Sequence, residues 1–433
     1  MAQSFKKQTL KGKKKMSLTQ IAQIAKLDHT DKETLDILAL YENQIISWLN
    51  SKEFHSSHWA SKPYVPLLNP DSLDYAFLHP FHAWTLNLPL KHYDFVAFGS
   101  KFSGLDAARG YLLACDAHGI SSACPSSCES YMSFYQNLLI YADMKEKGEI
   151  SSIYLLLDDF VLDNDANKLY SLIDASLALH VVRDPISALC ASLCASKLNA
   201  DFAFDENSDL QTALQSPDSD INSHLSNIKE LYHDGFMFKL LSPSMKNLCL
   251  KEYSDFDSAH AFATTKGIAS TLGLKAPQNG SFFSGDPQSF AGILPLKIQV
   301  NTELCLYLTS AYASDFGIYK DSDISPAFTL AHHSMRVLLA KPDDALSLLK
   351  NKELFAKTKE LVELASKKVL ELKTGSNINE AEILEFLLTH DDARKLAKSV
   401  LDQHLMLLKQ LAPALVQSFS RYQAFELLCA KDI

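Results

Sequence analysis

A short turn near residue 100 carries residue types that bind anions: Gly99, Ser100, Lys101, Ser103 and Gly104. The apolar run at 93–98 predicts a strand before this turn, and the apolar spacing at 105–112 predicts a helix after it. Small residues permit a tight backbone, and the first turn of a helix presents N–H groups that lack partners within the helix. The turn is therefore a candidate phosphate site. A purely structural corner is the alternative interpretation.

A second candidate is Arg183, where the apolar run 177–182 gives way to a helical pattern. The run predicts a buried strand, and open α/β sheets bind ligands beyond the carboxyl ends of their strands. A guanidinium group offers a planar fork of donors that suits phosphate. The alternative is that Arg183 pairs with Asp184, or with another carboxylate, and only fixes the loop.

Taken together, these stretches resemble the sulfotransferase-like group of nucleotide-phosphate-binding enzymes. The resemblance rests on residues 101–104 (Lys-Phe-Ser-Gly), on residues 181–185 (Val-Val-Arg-Asp-Pro), and on a late strand, acidic turn and helix at 250–274. It implies an α/β fold of three layers around a mostly parallel sheet. Helical patterns before and after this core predict helical N- and C-terminal parts.

The same resemblance implies roles for individual residues. Lys101, Ser103 and Gly104 would hold the transferring end of a phosphorylated nucleotide donor, together with Gly99 and Ser100, and Arg183 would hold another phosphate. The group also has a serine two turns into the helix after the arginine. Here Ala191 stands at that position, and Ser192 beside it is the candidate.

The chain is also similar to a family of sugar transferases encoded in capsule and surface-glycan clusters of some Gram-negative bacteria, through residues 88–96 and 179–185. Both resemblances lead us to expect transfer of a sulfo, phospho or phosphoramidate group from a nucleotide donor to a carbohydrate hydroxyl. A nucleotide-sugar glycosyltransferase is the alternative among enzymes. A non-catalytic nucleotide-binding or scaffold protein is the alternative outside them.

The sequence offers several candidates for the general base. Asp158 and Asp159 follow the apolar run 153–157, and Glu129 and His118 lie beyond or beside the first helix. We select Lys101, Glu129 and Asp159 as the candidate catalytic residues. Each carboxylate has the alternative role of a helix cap or a solvated surface group, and the lack of one clear base favours the non-catalytic alternative.

The length of 433 residues exceeds what one hydrophobic core usually serves. We predict a helical and irregular N-terminal region at 1–90, an α/β core at 91–324 and a helical C-terminal region at 325–433. Within the core, 293–300 and 304–308 predict two strands joined by a turn, and Pro295 predicts that the first lies at a sheet edge. The amphipathic C-terminal helices would pack on the α/β core or on a second subunit of a homo-oligomer.

Charge and hydropathy exclude some classes of function. A formal net charge of −10 argues against a nucleic-acid-binding protein. No apolar run approaches the roughly 20 residues of a membrane span, so we expect no transmembrane helix. Eight cysteines in so long a chain suit a reduced, cytoplasmic setting. Cys124 and Cys128 have metal-like spacing, but no matching Cys/His pair follows at zinc-finger distance, so a plain loop is the better interpretation and no metal is expected.

The first fifteen residues form a lysine-rich tail that is neither a signal peptide nor a membrane span. It would either contact an anionic membrane surface or be a disordered extension. Translation from Met16 is a further alternative.

Overall fold

The computed structural model of the protein describes residues 16–28, 30–122, 124–158, 163–195, 197–198, 202–215, 221, 225, 228–285, 290, 292–312, 322–341, 348–372 and 379–430. Two features predicted above fall outside these residues. They are the lysine-rich segment 1–15 and the candidate base Asp159.

Short strands are distributed through the middle of the chain. The strands are Phe95–Phe98 (β1), Ala117–Ile120 (β2), Ser152–Leu157 (β3), Leu177–Val182 (β4), Lys197–Leu198 (β5), Ala203–Phe204 (β6), Leu214–Gln215 (β7), Asn247–Glu252 (β8), Leu296–Gln299 (β9), Cys305–Ser310 (β10) and Met335–Leu339 (β11).

Helices lie between the strands and at both ends of the described chain. The α-helices are Leu18–Ala25 (α1), Lys32–Leu40 (α2), Glu42–Leu49 (α3), Lys52–Ser56 (α4), Pro80–Thr85 (α5), Leu105–Leu112 (α6), Ser127–Glu146 (α7), Ala166–Ser171 (α8), Pro185–Cys194 (α9), Leu210–Ala213 (α10), Ile228–Leu231 (α11), Asp234–Leu241 (α12), Ala261–Leu272 (α13), Lys352–Glu371 (α14), Glu380–Thr389 (α15), Asp391–Leu411 (α16), Pro413–Ser418 (α17) and Ser420–Ala430 (α18). Among the described residues, none of these helices combines the length and apolar character needed to cross a membrane.

The main sheet has five parallel strands in the order β2-β3-β1-β4-β8. Every residue of β1 and β3 is buried, as expected for parallel strands covered on both faces. The α/β class and the helices at both ends are therefore confirmed. The connection after β1 leads to β2 at one edge, whereas the chain after β4 leads towards β8 at the other. Because β1 and β4 are neighbours, the strand order reverses between them, which is where open α/β sheets form a ligand crevice.

A second sheet has the order β11-β10-β9-β6. β9 and β10 are the two predicted strands joined by a turn, and they pair antiparallel, with Leu306 opposite Ile298. The expectation that Pro295 places the first strand at an edge is wrong, because β9 also pairs with β6. Pro295 lies just before β9 begins at Leu296, so its missing N–H does not interrupt the ladder. β11 lies within the C-terminal segment for which composition predicts helices, and it pairs with β10.

The chain divides into two compact units, 1–96 with 120–178 and 237–247, and 97–119 with 179–236 and 248–433. In the second unit, one apolar cluster joins α9 to the C-terminal helices, with Leu189, Leu387 and Leu401 buried. Another joins β9–β11 to α14 through Ile298 and Val362. The domain boundaries predicted at 90 and 324 stay predictions.

Candidate functional site

The turn after β1 is closed by its own backbone. The Ser103 N–H donates to the Ser100 carbonyl at 3.1 Å. Phe102 and Gly104 both have positive φ, at 62° and 98°, and Gly104 forms the N-terminal boundary of α6 without a side-chain cap. A left-handed conformation at 98° suits glycine, which explains why glycine stands immediately before this helix.

At Gly99 the constraint is space and not backbone conformation. A Cβ atom there would lie 2.6 Å from the Val181 carbonyl oxygen of β4 and 2.6 Å from the Ser103 Oγ. The start of the turn therefore packs directly against the end of the neighbouring strand. This close approach brings residues 99–104 beside the residue that follows β4.

That residue is Arg183, and its guanidinium group contacts both the turn and the end of β8. Nη1 donates to the Phe102 carbonyl at 3.3 Å, and Cζ lies 4.1 Å from the centre of the Tyr253 ring. Arg183 is partly exposed. Within the described part of the chain it forms no ion pair, so its positive charge is not neutralised by a neighbouring carboxylate.

Asp184, which the sequence offers as an ion-pair partner for Arg183, accepts hydrogen bonds from backbone N–H groups instead. Its Oδ1 accepts from the Ile186 N–H at 3.0 Å and caps α9, while its Oδ2 accepts from the N–H groups of Arg421 at 2.8 Å and Tyr422 at 3.2 Å. Burial raises the pKa of this carboxyl group, and the backbone donors only partly oppose that effect. One carboxylate therefore caps the first turns of two helices.

Tyr253 is a site residue that sequence reasoning did not single out. A Cβ at Gly104 would lie 2.6 Å from its Cδ2, so the ring covers the start of α6. The short helix Tyr253–Phe256 is fixed by Glu252, whose carboxylate accepts from the Ser254 N–H at 2.8 Å, and by Asp255, which accepts from the Glu252 N–H at 2.9 Å. The predicted acidic turn is present, but no local signal marks the tyrosine.

Residues 252–431 match the model of a family described as "Protein of unknown function (DUF2972)". No curated protein and no solved structure matches the chain. The matched segment starts at the last residue of β8 and includes Tyr253 and the C-terminal helices. The turn at 99–104 and Arg183 precede it.

The other candidate donor-binding residues lie in or near the same turn, except one. Lys101 is exposed, and Ser100 is buried. The Ser103 side chain is 1% exposed, and its Oγ has no hydrogen-bond partner among the described residues. Ser192 lies in the third turn of α9, is 8% exposed, and donates its hydroxyl to the Leu189 carbonyl at 2.7 Å. That bond is internal to α9.

The candidate base Glu129 belongs to the first compact unit, whereas the turn and Arg183 belong to the second. Its side chain is exposed in the first turn of α7, and its backbone N–H donates to the Ser126 Oγ at 3.2 Å. Asp159 lies outside the described residues. The geometry therefore assembles the candidate anion-binding residues but selects no base.

The electrostatics of the assembled residues centre on Arg183. Asp106 lies exposed in the first turn of α6, where its carboxylate interacts favourably with the helix N-terminus and weakens the attraction of that terminus for a ligand anion. Arg183 has no such neighbour within ion-pair distance in the described chain. A phosphate group would therefore be bound mainly by the guanidinium group, with the backbone of the turn setting its position.

Proposed function

We propose that Arg183 and the turn at 99–104 bind the phosphate groups of a nucleotide donor in a sulfotransferase-like core. The observation that carries this proposal is an arginine that pairs with no carboxylate among the residues the structure describes, beside a closed turn, at the place where the strand order reverses. An arginine that served only to fix the loop would be expected to use a carboxylate, and the adjacent Asp184 is committed to backbone donors.

The reaction proposed is transfer of a sulfo, phospho or phosphoramidate group to a carbohydrate hydroxyl in surface-glycan synthesis. The acceptor oxygen would form a bond to the transferring sulfur or phosphorus, the bond to the bridging oxygen of the donor would break, and the hydroxyl proton would pass to a base. Lys101 would neutralise charge that develops on the transferring group. Glu129 and Asp159 stay predictions for the base. We place the reaction in the cytoplasm as part of the same proposal.

A titration with three classes of nucleotide tests the proposal. Adenosine 3′,5′-bisphosphate, cytidine nucleotides and uridine-diphosphate sugars are each added to the full chain, and heat is measured by isothermal titration calorimetry. Saturable binding of the adenosine compound supports sulfo transfer, and binding of cytidine nucleotides supports phosphoramidate or phospho transfer. Preference for the uridine-diphosphate sugars would favour a glycosyltransferase. Binding of none of them would refute the nucleotide site.

A further inference from the structure

Among the described residues, the side chain that holds Arg183 is an aromatic ring and not a carboxylate. The Arg183 Cζ lies over the Tyr253 ring, 4.1 Å from its centre, and Nη1 donates to the Phe102 carbonyl at 3.3 Å. Attraction between a cation and the face of a ring pairs none of the guanidinium donors with an oxygen atom. In the described part of the chain, the bond to Phe102 is the one hydrogen bond that the group makes. Most of its donors are therefore left for a ligand.

Two other arginines of the second compact unit show how an arginine is held when it stabilises the fold. Arg394 is 4% exposed, donates from Nη1 to two backbone carbonyls at 2.9 Å, and pairs through Nη2 with Asp391 at 2.7 Å. The Nε of Arg421 pairs with Glu380 at 2.9 Å. In both cases a carboxylate offsets the positive charge. Arg183 is fixed by a ring and a carbonyl, and it therefore keeps a charge that can attract an anion.

The Tyr253 ring is itself confined by the turn after β1. A Cβ atom on Gly104 would lie 2.6 Å from Cδ2 of the ring and 3.5 Å from the Tyr253 Cα. The backbone that carries the ring is fixed by Glu252 and Asp255, whose carboxylates accept from the N–H groups of Ser254 and Glu252 at 2.8 and 2.9 Å. The ring cannot move without disturbing these contacts, so it presents a fixed face to the guanidinium group.

Ordering the Arg183 side chain before a ligand arrives lowers the cost of binding. Arginine has many rotamers, and a flexible side chain loses that freedom when it binds phosphate. A ring that fixes the guanidinium group in the free protein has already removed part of the freedom. A carboxylate would order the side chain too, but its negative charge would oppose the incoming phosphate. The aromatic face is therefore the better support for an arginine that binds an anion.

We propose that Tyr253 is a positioning residue, whose ring orients the guanidinium group of Arg183 for a phosphate group of the nucleotide donor. This role rests on the nucleotide site proposed above, and it adds to that site a residue that follows β8. Tyr253 lies within the segment 252–431 that matches the family model, whereas Arg183 precedes that segment. The matched segment thus contributes to the site through the residue that supports the arginine.

Calorimetric titration of the full chain tests this role, with adenosine 3′,5′-bisphosphate or with the cytidine or uridine nucleotide that binds more tightly. Tyr253→Leu keeps an apolar side chain but removes the ring face, and it should lower the affinity roughly 2- to 30-fold. Tyr253→Phe keeps the ring and should restore most of that loss. The control is Tyr307→Leu, which removes a partly exposed tyrosine from β10 in the same unit and should bind as the wild type does.

A comparison in the Arg183→Ala background separates positioning from a structural effect. If Tyr253 acts through Arg183, Tyr253→Leu should cause no further loss of affinity there. An equal loss with and without Arg183 would show that the ring supports the fold, and would overturn the proposal. Wild-type affinity in Tyr253→Leu would overturn it too. Failure of the wild-type protein to bind any of the nucleotides would instead refute the nucleotide site itself, and this role with it.

A second measurement preserves the shape of the side chain and does not depend on the folding of Tyr253→Leu. Phenylalanine analogues with increasing numbers of ring fluorine atoms are incorporated at position 253. Fluorine withdraws electrons from the ring face and weakens its attraction for a cation. The affinity for the nucleotide should fall stepwise with the number of fluorine atoms. The same affinity with every analogue would contradict the positioning role.

Discussion

Two adjacent residues at the end of β4 have opposite roles in the second compact unit. Arg183 keeps a charge that no described carboxylate neutralises, whereas Asp184 is 8% exposed and accepts from three backbone N–H groups. The sequence alone allows an ion pair between the two side chains as an alternative. The structure separates them, because the carboxylate is bound by Arg421 and Tyr422, which lie more than 230 residues further along the chain.

Replacing Asp184 by alanine should destabilise the protein by about 1–3 kcal/mol, because buried N–H groups of two helices lose their acceptor. Urea unfolding followed by circular dichroism measures the change. Asp36→Ala is the control, since Asp36 is exposed in α2 and alanine favours a helix. If both variants unfolded at the urea concentration of the wild type, the carboxylate would not be a stabilising cap.

At the scale of elements, the spacing of apolar residues predicts those strands and helices whose conformation depends on residues close together in the sequence. The strand predicted at 177–182 is β4, and the helix predicted at 105–112 is α6. Tyr253 was missed because its contact with Arg183 exists only when β8 lies next to β4 in the sheet. β11 was missed because its strand conformation depends on pairing with β10. Such pairings between distant segments leave no short-range pattern in the sequence.

The role of the turn before α6 in nucleotide binding can be tested by comparing substitutions at two glycines. Gly104→Ala should weaken nucleotide binding, because the positive φ is strained and the added Cβ meets the Tyr253 ring. Gly267→Ala should bind as the wild type does and should be more stable by up to about 1 kcal/mol, since that glycine is exposed inside α13 with open space around it. Calorimetric titration with the best-binding nucleotide compares the two.

A third variant separates the two effects at Gly104. Adding Tyr253→Ala to Gly104→Ala removes the steric contact and leaves the backbone strain. If the single Gly104 variant bound nucleotide as tightly as Gly267→Ala, the turn would be only a corner of the core.

At the scale of the whole molecule, a carboxylate that pairs with a lysine makes the free energy of unfolding depend on pH. Asp94 accepts from Lys145 Nζ at 2.7 Å, from the Ser152 Oγ at 2.7 Å and from the Ile153 N–H at 2.9 Å. Burial alone would raise its pKa, but these donors outweigh burial and lower it below the ordinary 3.8. Since the folded pKa lies below the unfolded one, the stabilisation is present above the unfolded pKa and is lost as pH falls through the folded pKa.

Asp94→Asn should therefore melt at a lower temperature than the wild type at about pH 6, and the difference should shrink as the pH falls below about 4. Differential scanning calorimetry across this range measures both proteins. A difference that stays constant with pH would show that Asp94 contributes through shape or hydrogen bonding and not through its charge.

The central claim is that Arg183 binds a phosphate of a nucleotide, and calorimetric titration of Arg183→Ala tests it most directly. A charge-assisted contact of about 1.5–3 kcal/mol predicts a loss of affinity of roughly 10- to 150-fold. The control is Arg336→Ala, which removes an arginine that donates to the carbonyls of His333 and Met335 in the same unit. We predict that Arg183→Ala loses affinity while Arg336→Ala keeps it. Equal affinity of the two variants for every nucleotide that the wild type binds would contradict the account.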